Sequence, residues 1–86
     1  MKYNYKTKGI CAREIIIELN DNIIKSVEFI GGCNGNTKGL SSIVKGMNID
    51  DVIDKLKGIT CNSKSTSCPD QLAHALEEIK EKVHIN

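Results

Sequence analysis

The stretch AREIIIELNDNIIKSVEFI, residues 12–30, decides the fold of this chain. It contains two apolar, β-branched runs, Ala12 to Leu19 and Ile23 to Ile30, and such runs favour β-strands. Between them lies Asn20-Asp21-Asn22, and Asn and Asp favour turns because they tolerate left-handed backbone. The stretch therefore predicts a β-hairpin with a three-residue loop, and residues 3–7 are expected to add an edge strand.

A three-residue loop also predicts the register of this hairpin. Leu19 would then face Ile23, and Ile17, Ile15 and Arg13 would face Lys25, Val27 and Phe29. Because side chains alternate between the two faces of a strand, the odd-numbered positions share one face, which we expect to be the core side. The apolar residues of that face are Ile15, Ile17, Leu19, Ile23, Val27 and Phe29, and Lys25 is the exception at its edge.

Three helical segments follow a loop that spans Gly31 to Asn36. Asn48 is the expected N-cap of the second helix, with Asp51 three residues later as in a capping box. The third helix has Ser67 or Cys68 as its cap and Pro69 in its first turn, where the missing N–H of proline costs nothing. Apolar stripes at helical spacing are Leu40, Ile43, Val44 and Met47; Ile49, Val52, Ile53 and Leu56; and Leu72, Leu76, Ile79 and Val83.

Strands followed by helices predict a single α+β domain over residues 1–86, with a small antiparallel sheet covered on one face by three helices. The chain has 12 Lys and Arg against 11 Asp and Glu, and this balance gives no field that would attract nucleic acid or an anionic membrane. The N-terminus lacks the apolar stretch of a secretory signal, and no run approaches the roughly 20 apolar residues that cross a bilayer. We therefore expect a cytoplasmic protein without a membrane or nucleic-acid partner.

Four cysteines, at positions 11, 33, 61 and 68, are the chemically distinctive residues of the chain. Thiols are kept reduced in the cytosol, so four of them there indicate metal binding or redox chemistry before structural disulfides. The predicted register places Cys33 opposite Gly9, two residues from Cys11, and diagonal neighbours of this kind lie about 7–8 Å apart. Cys11 and Cys33 are therefore expected to meet at the open end of the hairpin.

Cys61 and Cys68 flank a polar loop, and Cys68 begins the last helix, where the backbone N–H groups and the helix dipole stabilise a thiolate. Together, Cys11, Cys33, Cys61 and Cys68 would form a closed tetrahedral site, which is the pattern of structural zinc. Two alternatives stay open. One is a redox pair or disulfide, formed by Cys61 with Cys68 or by Cys11 with Cys33, and the other is a set of buried inert thiols.

Other polar residues give weaker signals. The segment from Gly31 to Lys38 leads from a strand into a helix, so it could bind the phosphate of a nucleotide or simply form a tight loop that presents Cys33. His74 is expected on the solvated face of the last helix, and Asp70 is expected to be a charge in its first turn. No catalytic residue is predicted.

The residues Thr66-Ser67-Cys68-Pro69-Asp70 spell the signature of the TSCPD domain, and the stretch from Val27 to Leu76 resembles that domain as well. The four-cysteine arrangement is similar to that of the small stand-alone bacterial TSCPD proteins. TSCPD domains also occur at the C-terminal end of cobalamin-dependent ribonucleotide reductases. The resemblance thus implies an accessory link to that enzyme as a protein partner, in metal or nucleotide handling. It does not imply catalysis, because 86 residues cannot hold the reductase barrel and its cobalamin site.

Overall fold

The computed structural model describes residues 2–7, 12–31, 34–59 and 67–83. In chain order, the elements are β1 (Lys2–Lys6), β2 (Ala12–Asn20), β3 (Ile23–Gly31), α1 (Asn34–Val44), α2 (Ile49–Leu56) and α3 (Cys68–Val83). The three strands form one antiparallel sheet in the order β1-β2-β3. The predicted α+β class, with strands followed by helices, is confirmed.

The middle strand β2 supplies the centre of the core. Ile15 and Ile17 are fully buried on the face that packs against α3, where Leu72 and Leu76 are also fully buried. Burial of one such aliphatic side chain contributes about 1.5–3 kcal/mol relative to an exposed one. The predicted odd-numbered core positions of β2 are confirmed. The other buried members of this core are Leu19, Ile24, Val27, Val44, Ile49, Val52, Ala75 and Ile79.

The predicted register of the hairpin is wrong, because the loop has two residues, Asp21 and Asn22, instead of three. Asp21 has a positive φ of 56°, a left-handed conformation that Asp tolerates better than most residues. The observed partners are Asn20 with Ile23, Leu19 with Ile24, Ile17 with Val27 and Ile15 with Phe29.

A β-bulge in β3 then changes the side-chain alternation. Glu18 pairs with Ser26 and Leu19 pairs with Ile24, so Lys25 is an extra residue in β3 at this step of the ladder. This insertion lets both Ile24 and Val27 face the core, and it leaves Ile23 on the surface with 37% exposure. The placement of Ile23 in the core was therefore wrong, and the bulge explains why Lys25 interrupts the apolar face.

A second bulge lies at the open end of the hairpin. Ala12 pairs with Gly31 and Glu14 pairs with Ile30, so Arg13 is the extra residue. Ala12 is buried, and a Cβ on Gly31 would lie 3.5 Å from Nε of Arg13. The Arg13 side chain therefore lies against the backbone of Gly31, whose φ of +82° also requires glycine.

Helix α1 packs on β3 and begins at Asn34, inside the segment that was predicted to be a loop. It ends at Val44, which is buried, and Gly46 follows with a φ of +87°. Ile43 was predicted to belong to the apolar stripe of this helix, but it is 72% exposed, so that placement was wrong. Leu40 and Val44 carry the contact of α1 with the core instead.

Helix α2 packs against α3 and has the predicted cap. The side chain of Asn48 accepts a hydrogen bond from the Asp50 N–H at 2.8 Å, one position earlier than the capping box with Asp51 would require. Ile49 and Val52 are its buried residues. Within the ranges that the structure describes, no helix combines the length and the apolar character needed to cross a membrane.

The two isoleucines Ile79 and Ile43 provide a matched test of the core. Both are helical, but Ile79 is buried in the core, whereas Ile43 is 72% exposed. We expect Ile79→Ala to lower the free energy of unfolding by about 2–5 kcal/mol, because it leaves a cavity. Ile43→Ala should change it by no more than about 0.5 kcal/mol. Urea denaturation followed by circular dichroism measures both, and equal losses would contradict the assigned core.

Candidate functional site

The structure describes one of the four predicted metal ligands. Cys68 is half-buried and is the first residue of α3, whereas Cys11, Cys33 and Cys61 lie outside the described residues. The proximity of Cys11 and Cys33 was inferred from a register that the hairpin does not have, so their convergence stays a prediction. Among the described residues, no group of three or more Asp, Glu, His or Cys side chains could hold a metal ion.

Ser67 is the N-cap of α3, which decides between the two predicted candidates. Its Oγ accepts a hydrogen bond from the Asp70 N–H at 3.2 Å, and its carbonyl accepts from the Gln71 N–H at 2.8 Å. Its hydroxyl also donates to the carbonyl of Ile59. Ser67 is only 2% exposed, and its hydroxyl links the chain before residues 60–66 to the chain after them by a part-buried hydrogen bond.

Asp70 occupies the first turn of α3, as predicted, but it is only 4% exposed. Its Oδ1 accepts a hydrogen bond from the Gly58 N–H at 2.7 Å. Its Oδ2 lies 3.2 Å from Nε2 of His74, one helical turn later. A buried carboxylate is costly unless it is hydrogen-bonded or paired, and these two contacts stabilise Asp70. Asp70 therefore links the end of α2 to the start of α3.

His74 was predicted to be solvated, and 44% of its side chain is exposed. It nevertheless lies between two carboxylates, since its Nδ1 is 3.6 Å from Glu77 in addition to the Asp70 contact. Glu77 also accepts a hydrogen bond from Nζ of Lys57 at 2.8 Å, and this bond and the charge of Glu77 raise the pKa of Lys57. The pairs that Glu77 forms with His74 and with Lys57 are solvent-exposed and contribute little to stability.

Tyr5 indicates which part of the sheet lies near the carboxylates of α3. Tyr5 pairs with Ile15 of β2, so it belongs to the β1–β2 part of the sheet. Its pKa is raised above the ordinary value of 10.0, first by burial and then by the negative charges of Glu78 and Asp70. The carboxylates of α3 are thus close enough to Tyr5 to disfavour its ionisation.

The hydrogen bonds from Ser67 and Asp70 to the segment that follows α2 were not predicted from the sequence, although a signal for pairing these two residues was present. Ser67 and Asp70 have the Ser-x-x-Asp spacing that often marks a helix N-terminus. In a standard capping box, the acidic side chain bonds back to the N–H of the cap residue. Here the Asp70 side chain bonds to the N–H of Gly58, a backbone group that has no signature in the sequence.

The sheet and the cysteine-bearing start of α3 define a small α+β domain whose last helix is hydrogen-bonded to the segment before it through the buried side chains of Ser67 and Asp70. The family model of the TSCPD domain matches residues 1–80, and the chain belongs to this family. The resemblance indicated by the signature is thereby confirmed. No curated protein and no solved structure matches the chain.

The ionisation of Tyr5 tests the position of α3. In a Tyr3→Phe chain, we expect the tyrosinate absorbance of Tyr5 to rise with a midpoint above pH 10.0, and Glu78→Gln should lower that midpoint by removing a negative charge. The raised pKa also has a consequence for stability. The stabilisation from neutral Tyr5 is fully present below the unfolded pKa of about 10 and is lost as the pH rises through the folded pKa.

A matched control for this titration is Glu28→Gln, which removes a carboxylate from β3. Glu28 does not contribute to the shift of the Tyr5 pKa, so its removal should leave the midpoint in place. A Tyr5 midpoint at or below pH 10, or equal responses to Glu78→Gln and Glu28→Gln, would contradict the placement of α3.

Proposed function

We propose that this TSCPD domain is a metal-binding module that holds zinc with Cys11, Cys33, Cys61 and Cys68. The observation that carries the proposal is the buried start of α3, where hydrogen bonds fix the backbone on both sides of Cys68. Cys68 occupies the first helical position, where the positive end of the helix dipole favours a thiolate. A thiolate is the form of cysteine that binds metal.

Chain connectivity supports the other three ligands. Ala12 and Gly31 pair across β2 and β3; in the sequence, Cys11 immediately precedes Ala12, and Cys33 follows Gly31 by two residues. Two of the cysteines are thus attached to the same end of the hairpin. The other two cysteines are close in sequence to the hydrogen bond between Ser67 and Ile59. Cys61 follows Ile59 by two residues, and Cys68 follows Ser67 directly.

Electrostatics also support a thiolate site in this region. Four thiolates around one Zn²⁺ carry net negative charge, which needs nearby positive charge or N–H donors. The bulge at Arg13 places a guanidinium against Gly31, at the hairpin end that carries Cys11 and Cys33. The N-terminus of α3 provides the positive end of a helix dipole beside Cys68.

The biological role that we propose is accessory rather than catalytic. The family relation suggests a protein partner connected with ribonucleotide reductase, and the segment from Gly31 to Lys38 is the proposed contact for a nucleotide. The alternative is a thiol redox protein or sensor that uses the same cysteines in pairs. The metal module and the redox protein differ in a measurable property. The metal module contains zinc that a chelator removes, whereas the redox protein cycles between two thiols and a disulfide.

Metal analysis of the untagged protein tests the zinc site. We expect about one zinc per chain, and we expect its removal with a chelator to lower the free energy of unfolding, because bound metal stabilises the folded state. Cys68→Ser should abolish stoichiometric zinc, since serine does not supply a thiolate. Ser26→Ala, at an exposed position of β3, is the control and should retain the metal.

Two results would contradict the zinc proposal. One is a folded, metal-free protein whose four thiols all react with a thiol reagent. The other is full zinc retention in the Cys68→Ser chain. If oxidised glutathione instead converts two cysteines of the metal-free protein into one reversible intramolecular disulfide, the redox alternative replaces the metal module.

A further inference from the structure

We infer that Ser67 and Asp70 are positioning residues for the cysteine site, because they hold the chain on either side of residues 60–66 in one fixed arrangement. The inference rests on the proposed function in that it assigns roles around the proposed ligands Cys61 and Cys68. It goes beyond that function by explaining why serine and aspartate flank the cysteine of the signature.

Three hydrogen bonds make up this arrangement, which we call the latch. The Ser67 hydroxyl donates to the Ile59 carbonyl, the Gly58 N–H donates to Asp70 Oδ1 at 2.7 Å, and the Asp70 N–H donates to Ser67 Oγ at 3.2 Å. The three hydrogen bonds form a connected set. Ser67 and Asp70 are hydrogen-bonded to each other, and each is also hydrogen-bonded to the segment that follows α2. Both side chains are almost fully buried.

The latch does more than an N-cap requires. Capping of α3 needs only the bond between Ser67 Oγ and the Asp70 N–H. The other two bonds extend to Gly58 and Ile59, in the segment that follows α2. Gly58 has a φ of +88°, although a Cβ there would meet no atom within 4 Å. This glycine is therefore explained by backbone conformation and not by crowding.

The latch has a direct consequence for the two cysteines. It holds Ile59 and Ser67 one hydrogen bond apart, so the entropy cost of bringing together the ends of residues 60–66 is already met in the folded chain. Groups attached near those ends then have a raised effective concentration relative to each other. Cys61 and Cys68 are the thiols attached there in the sequence.

Cobalt binding tests the inference, since Co²⁺ bound by thiolates gives a charge-transfer absorbance. We expect Ser67→Ala and Asp70→Ala to weaken Co²⁺ binding by about tenfold or more, the loss expected when a hydrogen bond made by a buried side chain is removed. Asp70→Asn retains a carbonyl oxygen that can accept from Gly58, so it should bind more tightly than Asp70→Ala. Ser67→Ala keeps the inference testable if Asp70→Ala does not fold.

Asn48→Ala is the matched control. Asn48 caps α2 as Ser67 caps α3, but it is not hydrogen-bonded to the segment that carries a cysteine. It should lower thermal stability by an amount similar to Ser67→Ala while leaving the Co²⁺ affinity unchanged. Equal loss of Co²⁺ affinity in Asn48→Ala and Ser67→Ala would overturn the inference, because the latch would then act only through general stability.

A second measurement separates failure of this inference from failure of the zinc proposal. In a Cys11→Ser, Cys33→Ser chain, oxidised glutathione can take two electrons from Cys61 and Cys68. Each thiol loses a proton, one disulfide forms, and two molecules of reduced glutathione are released. We expect Ser67→Ala and Asp70→Ala to lower the effective concentration of this pair by about tenfold, and Asn48→Ala to leave it unchanged.

The two readouts together give a decision in every case. If the wild-type chain binds no Co²⁺ but the disulfide equilibrium responds to the latch, the zinc proposal fails and the positioning role stands. If the chain binds Co²⁺ and the Co²⁺ affinity does not distinguish the latch variants from Asn48→Ala, the positioning role is overturned. If the chain binds no Co²⁺, the same result in the disulfide equilibrium overturns it.

Discussion

The need to bury both Ile24 and Val27 against β2 and the helices governs the hairpin on which the rest of the fold is built. These residues are three positions apart, so in a regular strand their side chains would point to opposite faces. The extra residue Lys25 removes this conflict and shifts the register for the remainder of β3. The insertion favours burial of two aliphatic side chains at the cost of a disrupted ladder at one residue.

This constraint explains which parts of the fold could be predicted from sequence. The elements and their order follow from β-branched runs, turn residues and helical spacing, which are local properties. The register depends on a long-range choice, because both a two-residue and a three-residue loop are compatible with Asn20-Asp21-Asn22. Lys25 within the predicted apolar face was the local sign of a bulge. Ile43 shows a limit of helical spacing as a predictor. Its position fits the apolar stripe predicted for α1, but it is exposed and no described element covers it.

The start of α3 depends on a second constraint, which is the cost of burying the Asp70 carboxylate. Its position in a first helical turn was predictable from the sequence, because acidic residues there complement the helix dipole. Its acceptance of the Gly58 N–H was not, because that donor is a backbone group 12 positions away. The cysteine set was predictable as residue types. The convergence of the four cysteines stays a prediction, because Cys11, Cys33 and Cys61 lie outside the described residues.

Burial also limits what Asp70 can do chemically. A general base needs an accessible oxygen that can take a proton from a substrate. One oxygen of Asp70 already accepts from Gly58 and the other faces His74, and only 6% of the side chain is exposed. Removing either contact would leave a buried charge less well stabilised, which costs more than an exposed pair contributes. The aspartate of the signature is therefore suited to fix the backbone beside Cys68.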